Sequence, residues 1–337
     1  MILVTGGTGL VGSHLLYHLT QKNDTIRAIY RTEEKRNHVK KIFSYYTDDV
    51  QLFFSKIEWI QADITDVPSL EIVFKDVSEV FHCAALVSFN PKDYRKMRQV
   101  NIDGTANVIN FSIENKIRKL CFVSSIAAVG DAVNGKPITE ENEWNEADEN
   151  NEYSITKYGA EMEVWRGSQE GLDVVIVNPG VILGSGFWNE GSGKLFTQIN
   201  NGFRFYTEGI TGFVSVKDVV KAMIQLMESK IKNERFILVS ENKSFKDILF
   251  AIADGLGKKR PTIKISKIVT SVFWRIDWVL TKLIGKEPLL TKNSAKSSHN
   301  KSCYSSKKIE KKLFFQFNPL AKEIKKTAID YGFKRHF

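Results

Sequence analysis

The chain has 337 residues, 42% apolar and 26% charged, the balance of an ordinary folded protein and not of a disordered or fibrous one. No uncharged apolar run is long enough to cross a bilayer, so a membrane-spanning helix is not expected. The net charge of +9 is uneven: residues 258–337 hold 20 Lys+Arg against 5 Asp+Glu, and the other 257 residues hold 28 against 34. A basic end can meet nucleic acid or an anionic membrane; here it reads as the solvated face of lysine-rich helices, and no nucleic-acid partner is expected. Cys83, Cys121 and Cys303 are far apart and the six histidines are scattered apart from His14 and His18, with no cysteine or carboxylate spaced to join that pair, so no metal site is expected. Unpaired thiols and a first strand that starts at residue 2, with no room for a leader, suit a cytoplasmic protein.

Met1-Ile2-Leu3-Val4 reads as a buried strand that runs into the glycine cluster Gly6-Gly7-Thr8-Gly9-Leu10-Val11-Gly12. Leu15, Leu16 and Leu19 then repeat at helical spacing. A strand, a glycine turn and a helix N-terminus form a setting for a dinucleotide: glycine lets backbone approach a pyrophosphate, and unpaired N–H groups point at it. After a turn at Asn23-Asp24, Thr25–Tyr30 alternates as a second strand. Its end is where a dinucleotide fold selects its ribose. This chain places Arg31 there, with Lys35 and Arg36 close behind, which suits the 2′-phosphate of NADP(H) over NAD(H).

Glu33–Tyr46 reads as a charged helix and Ile57–Gln61 as a third strand. Asp63 follows, placed to reach an adenine amino group, and Asp66 is positioned to cap a helix from Ser69 to Phe74. Val80–Ala85 is a fourth strand that ends in small residues. Its His82 reads as a packed, hydrogen-bonded histidine in preference to a base. Arg95–Asn115 is one long helix with Asn101 and Thr105 set into its apolar side, and Lys119–Ser125 is a fifth strand. Pro137–Asn151 is an acidic surface loop. Tyr153–Val164 is a helix on which Tyr153 and Lys157 share a face. Asp173–Asn178 is a sixth strand, stopped by Pro179.

Gly180–Gly193, with five glycines, is expected as a flexible loop over the strand ends. A smaller substrate-binding part follows, dividing the chain into a dinucleotide domain over 1–180 and a mainly substrate-binding part over 181–337, with some segments returning to the first. Leu195–Asn200 and Val219–Ser229 read as helices, the latter capped by Asp218. Arg235–Ser240 is a strand, and Ser244–Leu256 is a helix capped by Ser244. Ile268–Ile284 has a broad apolar face of Ile268, Val269, Val272, Ile276, Val279, Leu280 and Leu283. Trp274 and Trp278 lie towards its polar side, which leaves a dimer contact, a substrate lid, a peripheral membrane contact or packing on the body all open. Asn293–Ser306 is a polar loop, and Lys307–Phe315 and Leu320–Tyr331 are terminal helices.

Ser125, Tyr153 and Lys157 thus converge with the glycine turn at the carboxyl edge of one parallel sheet, where doubly wound folds bind ligands. They suit hydride transfer between a nicotinamide and a carbinol. A lysine ammonium one turn away brings a tyrosine phenol towards useful acidity, and Ser125 can orient the substrate oxygen.

The chain resembles the extended short-chain dehydrogenases/reductases, the group of sugar-nucleotide epimerases and dehydratases, dihydroflavonol reductases and 3β-hydroxysteroid dehydrogenases. The residues that carry the resemblance are TGGTGLVG at 5–12, ADI at 62–64, HCAAL at 82–86, VNIDGT at 100–105, VSSIAAVGD at 123–131, YSITK at 153–157, NPG at 178–180 and FVSVKDVV at 213–220. The SSKKIEKKLFF-x-F-x-P stretch at 305–319 extends it almost to the C-terminus. The resemblance implies a Rossmann-type, doubly wound α/β sheet with Tyr153 as acid/base, Lys157 as its partner, and Ser125 and Asn101 beside them. It also implies a cofactor groove made by Gly6, Thr8, Gly9, Leu10, Val11, Gly12, Arg31, Asp63, Ile64, Ala84, Ala85, Ser124, Pro179 and Val181, together with Tyr153 and Lys157. Arg31 resembles the NADP-binding arginine of the reductase branch, whereas epimerases more often carry Asp there.

The leading expectation is an NAD(P)-dependent oxidoreductase, with NADP(H) favoured, acting on a hydroxyl/ketone pair of a fairly apolar small molecule as a monomer or homodimer. Phe187, Trp188, Phe203, Phe205 and Tyr206 flank the expected pocket. A sugar-nucleotide epimerase or dehydratase is the alternative, with Lys194 and Arg204 available for a diphosphate. A cofactor-sensing protein without turnover would not need the full Ser125, Tyr153 and Lys157 set.

Overall fold

The computed structural model describes residues 1–22, 25–133, 135–147, 150–284 and 291–333. The Asn23-Asp24 turn, Asp148 and Glu149 of the acidic loop, and the side chains of Trp278, Val279, Leu280 and Leu283 lie outside the described residues.

The aliphatic runs become strands β1 (Ile2–Thr5), β2 (Ile26–Tyr30), β3 (Ile57–Gln61), β4 (Glu79–His82), β5 (Lys119–Val123) and β6 (Val174–Pro179). Further along come β7 (Val181–Leu183), β8 (Phe205–Tyr206), β9 (Ile210–Ser215), β10 (Glu234–Leu238), β11 (Glu241–Ser244) and β12 (Ile263–Lys264). A seven-stranded parallel sheet runs β3-β2-β1-β4-β5-β6-β10. This is a Rossmann-type doubly wound sheet: the order reverses between β1 and β4, and that switch point opens a crevice at the carboxyl ends of the strands. A second sheet runs β11-β9-β7, its β7 beginning two residues after the carboxyl end of β6.

Helices α1 (Leu10–Thr20), α2 (Glu33–Phe43), α3 (Val50–Phe54), α4 (Val67–Phe74), α5 (Tyr94–Arg98), α6 (Gly104–Glu114) and α7 (Glu152–Gln169) belong to the first half. The second half adds α8 (Gly193–Asn200), α9 (Val216–Glu228), α10 (Phe245–Gly255), α11 (Lys267–Ile284), α12 (Lys292–Ser297), α13 (Lys307–Leu313) and α14 (Leu320–Phe333). One core packs α1, α2 and α9 on the sheet through Leu15, Leu16, Phe43, Val219 and Met223. The other packs α4, α6 and α7 on the opposite face through Leu70, Phe74, Val108, Ile109 and Val164. A third cluster, with Phe196, Ile252 and Ile324, joins α8, α10 and α14.

Four departures from the sequence reading have local causes. The expected helix over 95–115 is interrupted by a π-helical turn at Gln99–Asp103, where Thr105 Oγ1 bonds the Asn101 carbonyl at 2.5 Å. The glycine loop carries β7, paired in parallel with β9, because its Val181-Ile182-Leu183 run can join a sheet edge. Helix α9 starts three residues early: Ser215, not Asp218, is its cap, and it takes the Asp218 N–H at 3.1 Å. The polar stretch after residue 292 opens with α12, held by a reciprocal capping box between Thr291 and Ser294. At α4, Asp66 occupies the cap position without a side-chain cap bond.

The glycine turn is tight at two residues. Gly6 has φ +66° and a Cβ there would sit 2.5 Å from the Ala84 nitrogen; a Cβ on Gly12 would sit 2.2 Å from the Gly6 carbonyl oxygen. Both obstacles are backbone. Gly12→Ala is therefore expected to lower the melting temperature by roughly 5 °C or more. If the Gly12→Ala variant melts with the wild type in a thermal scan, the turn has room for a side chain.

Candidate active site

Three segments meet at the carboxyl edge of the sheet. The first is the glycine turn. Thr5 Oγ1 takes the Ala84 N–H at 3.4 Å, which draws the end of β4 against the turn. Helix α1 opens at Gly9 without a side-chain cap, so its first-turn N–H groups face the crevice with no competing side-chain acceptor. This is a cradle that a side chain would fill, and it fits a pyrophosphate. Ala84 and Ala85 keep its far wall low.

The second segment follows β5. Ser125 caps a short 3₁₀ turn, accepting the Ala127 N–H on Oγ at 3.1 Å. Ser125 also lies near enough to Tyr153 to lower the affinity of the phenol for its proton. The third is α7, which carries Tyr153 and Lys157 on one face. Lys157 is buried; its Nζ donates to the Val123 carbonyl at 2.8 Å and lies 4.5 Å from the centre of the Phe122 ring. Burial brings the ammonium down to about 8, with the Glu161 carboxylate pulling the other way. Burial pushes the Tyr153 phenol up, against the influence of Ser125.

Asn101 sits in the π turn and is 1% exposed. Its amide oxygen takes the Leu86 N–H at 2.7 Å, and its Nδ2 donates to the Leu86 carbonyl at 3.0 Å and to Thr156 Oγ1 at 3.1 Å. Thr156 in turn donates to the Tyr153 carbonyl at 2.9 Å. Asn101 thus ties the loop after β4 to the first turn of α7. His82 is a packed core histidine, 2.6 Å from Thr5 Oγ1 and 3.0 Å from Thr105 Oγ1, and burial drives it down to about 3.

The other expected residues fall in different places. Arg31 is half exposed, its guanidinium 3.8 Å from Asp63, whose other carboxylate oxygen takes the Thr65 N–H. Ile64 turns its side chain into the core against Gly104. Pro179 is buried on β6, and Val181 is half-buried on β7. Ser124 turns away from the crevice and donates to Glu161 Oε2 at 2.6 Å. Trp188 is not a pocket wall: it is 3% exposed and packs on Phe196 and Tyr331. Phe203, Arg204 and Phe205 instead line a shallow groove of about 390 Å³.

Two residues were not singled out from the sequence. Phe89 stands 5.8 Å from the Tyr153 ring and is 43% exposed, so it offers an apolar wall beside the phenol. Its signal is only an aromatic in the loop after β4. Glu161 is wholly buried and gathers Ser124 Oγ, Asn178 Nδ2 at 2.9 Å and Arg235 Nη1 at 3.1 Å. Its signal is the four-residue repeat Tyr153, Lys157, Glu161 along one helix face. Among the described residues, no group of three or more His, Cys, Asp or Glu is arranged to hold a metal.

A profile described as the NAD dependent epimerase/dehydratase family matches residues 2–238. The chain belongs to this family. It is an NAD(P)-dependent enzyme of the extended short-chain dehydrogenase/reductase type. Relatives include sterol demethylase protein B of Methylococcus capsulatus, 28% identical over 267 residues covering 78% of this chain and 76% of that protein. Cinnamoyl-CoA reductase 1 of Petunia hybrida is 28% identical over 249 residues, covering 70% of this chain and 72% of that one. Among solved structures, the UDP-glucose 4-epimerase of Thermotoga maritima, crystallised with UDP-glucose, shares the fold with a TM-score of 0.77 and 20% identity over 99% of each chain.

The buried Glu161 carboxylate is the ion-pair partner of the partly buried Arg235, so removing its charge leaves that guanidinium without this partner. Glu161→Gln is expected to lower the unfolding free energy by about 3 kcal/mol. Denaturant unfolding measures this, and an unchanged midpoint would show that the pair contributes nothing to stability.

Proposed function

We propose that this member of the family is an NADP(H)-dependent oxidoreductase that interconverts a secondary alcohol and its ketone on a fairly apolar small molecule. The observation that carries the reading is the Tyr153 phenol on α7, one helical turn from the buried Lys157 ammonium and near Ser125. In this reading the Gly6–Gly12 turn and Ala84-Ala85 hold the dinucleotide, and Asp63 meets its adenosine end. When bound, the nicotinamide gives or takes the hydride at the carbinol carbon. Tyr153 Oη gives or takes the proton at the substrate oxygen, and Ser125 Oγ hydrogen-bonds that oxygen and aims it at the phenol. Lys157 contributes its charge: a nearby ammonium favours phenolate and offsets the burial that holds the free phenol high. Asn101 fixes the approach of α7 and contacts no reacting atom.

Three observations support the finer points. Phe89 and the exposed Val87 give the Tyr153 side of the crevice an apolar wall. The named relatives include one reductase of an aromatic thioester and one protein named for sterols. Arg31 is loosely paired, at 3.8 Å and half exposed, so its planar fork is available to a 2′-phosphate. By contrast, Arg36 is already held by Glu33 at 2.6 Å. Arg204 in the Phe203–Phe205 groove favours a second reading, a sugar-nucleotide epimerase or dehydratase, because a cation there could meet a diphosphate. A screen of apolar ketones against UDP- and dTDP-sugars, followed by nicotinamide absorbance and product analysis, separates the two.

Tyr153→Phe keeps the ring and removes the proton. It is expected to cut kcat by about 100- to 10,000-fold while cofactor affinity stays within about twofold. Retained turnover would remove Tyr153 from the proton path. Arg31→Ala is expected to weaken NADPH binding by roughly tenfold or more and to leave NADH binding within about twofold. Equal losses for both dinucleotides, measured by fluorescence titration, would overturn the NADP(H) preference.

A further inference from the structure

Over its described side chains, residues 267–276, helix α11 is inside out. Ile268, Val269, Val272, Phe273 and Ile276 are exposed, Ile268 by 77% and Phe273 by 58%. Among these described residues the buried position is a polar one: Thr270, 5% exposed, meets His299 Nε2 at 2.7 Å. Residues 268, 269, 272, 273 and 276 share one helix face, so the exposure forms a continuous stripe and not a scatter. Ile263, on β12 just before the helix, is also 44% exposed.

The surroundings are cationic. Residues 258–301 hold eleven Lys+Arg against two Asp+Glu. Lys258, Lys259, Lys267, Lys292 and Lys301 are all exposed. Among the described residues, no helix is long and apolar enough to cross a membrane, so the helix can lie on a bilayer but not span it. The surface also borders the active site. Helix α11 packs on α12, and Asn293 of α12 hydrogen-bonds Glu152, the neighbour of Tyr153.

We propose that α11 docks this protein on an anionic lipid bilayer, with Ile268, Val272, Phe273 and Ile276 among the acyl chains and the surrounding lysines against headgroup phosphates. A second copy of the chain fits less well, because a self-complementary contact through this face would bring two strongly positive rims together. A lid closing on the protein's own pocket fits less well too, because the stripe faces away from the body. The inference stands independently of the reaction proposed above, since it uses only the exposure and charge of this surface.

The test is co-sedimentation of the full chain with vesicles of phosphatidylcholine containing about one third phosphatidylserine, compared with pure phosphatidylcholine, at low and high salt. The protein is expected to pellet with the anionic vesicles and to be released by salt. The double variant Phe273→Glu/Ile276→Glu, at two exposed positions, is expected to bind at least ~10-fold more weakly with an unchanged melting temperature. Three results would overturn the proposal: a wild-type protein that stays in the supernatant, equal binding to both vesicle types, or a variant that binds like the wild type. A dimer in sedimentation equilibrium that the double variant converts to monomer would overturn it in favour of a second copy.

Discussion

Lys157 carries an ammonium group to a place where 2% of the residue meets solvent. An unpaired charge there would be very costly, and the fold offsets that cost with two groups. The Val123 carbonyl at the end of β5 accepts a hydrogen bond, and the Glu161 carboxylate lies one turn further along α7. Glu161 is itself a buried charge and needs its own support. It finds this in Ser124 from the strand beside it, Asn178 from β6 and Arg235 from β10. One ammonium therefore recruits groups from β5, β6, α7 and β10. The last of these strands lies between β9 and β11 of the second sheet in the chain, and it forms one edge of the main sheet.

The same chain of dependence reaches the other side of α7. The helix approaches the π turn so closely that a Cβ on Gly159 would lie 2.6 Å from Ile102 Cδ1. At that contact Asn101 ties Leu86, Thr156 and, through Thr156, the Tyr153 carbonyl. A regular α-helix over 95–115 would rotate Asn101 away from this position, because one extra residue per turn shifts everything after it by about 100°. The π turn is thus the backbone adjustment that lets a buried amide reach two segments at once.

What could be read from the sequence was whatever local spacing encodes. The strand, glycine turn and helix at residues 2–20, the ladder of aliphatic strands and the Tyr153/Lys157 pair all depend on neighbours within a few residues. The less legible features depend on distant partners. Glu161 and Arg235 are 74 positions apart, and nothing near either one announces the pairing. Ser124 is adjacent to Ser125 and chemically identical to it, yet only the position of Glu161 turns one hydroxyl into the framework and leaves the other at the crevice. Trp188 reads as a pocket aromatic because it lies in a glycine-rich loop, but α14 arrives from the far end of the chain and buries it. From the sequence, Asp218 reads as the cap of α9. The choice fell to Ser215 because Asp218 is needed by Asn318, which donates to its Oδ1 at 2.6 Å.

Asp218 and Asn318 also show why the C-terminal segment belongs to the same cooperative structure as the glycine turn. Helix α14 follows directly after Asn318, and its Asp330 accepts from Ser185 Oγ at 2.6 Å, while the Ser185 carbonyl lies 3.0 Å from His14 Nε2 on α1. The helix that presents its N-terminus to the crevice is therefore braced by the last described helix of the chain. Ser185 and His14 link α14 to the glycine turn, whereas Tyr153 is braced separately through Asn101 and Thr156. The glycine turn and Tyr153 thus rest on different supports, and damage to one need not accompany damage to the other.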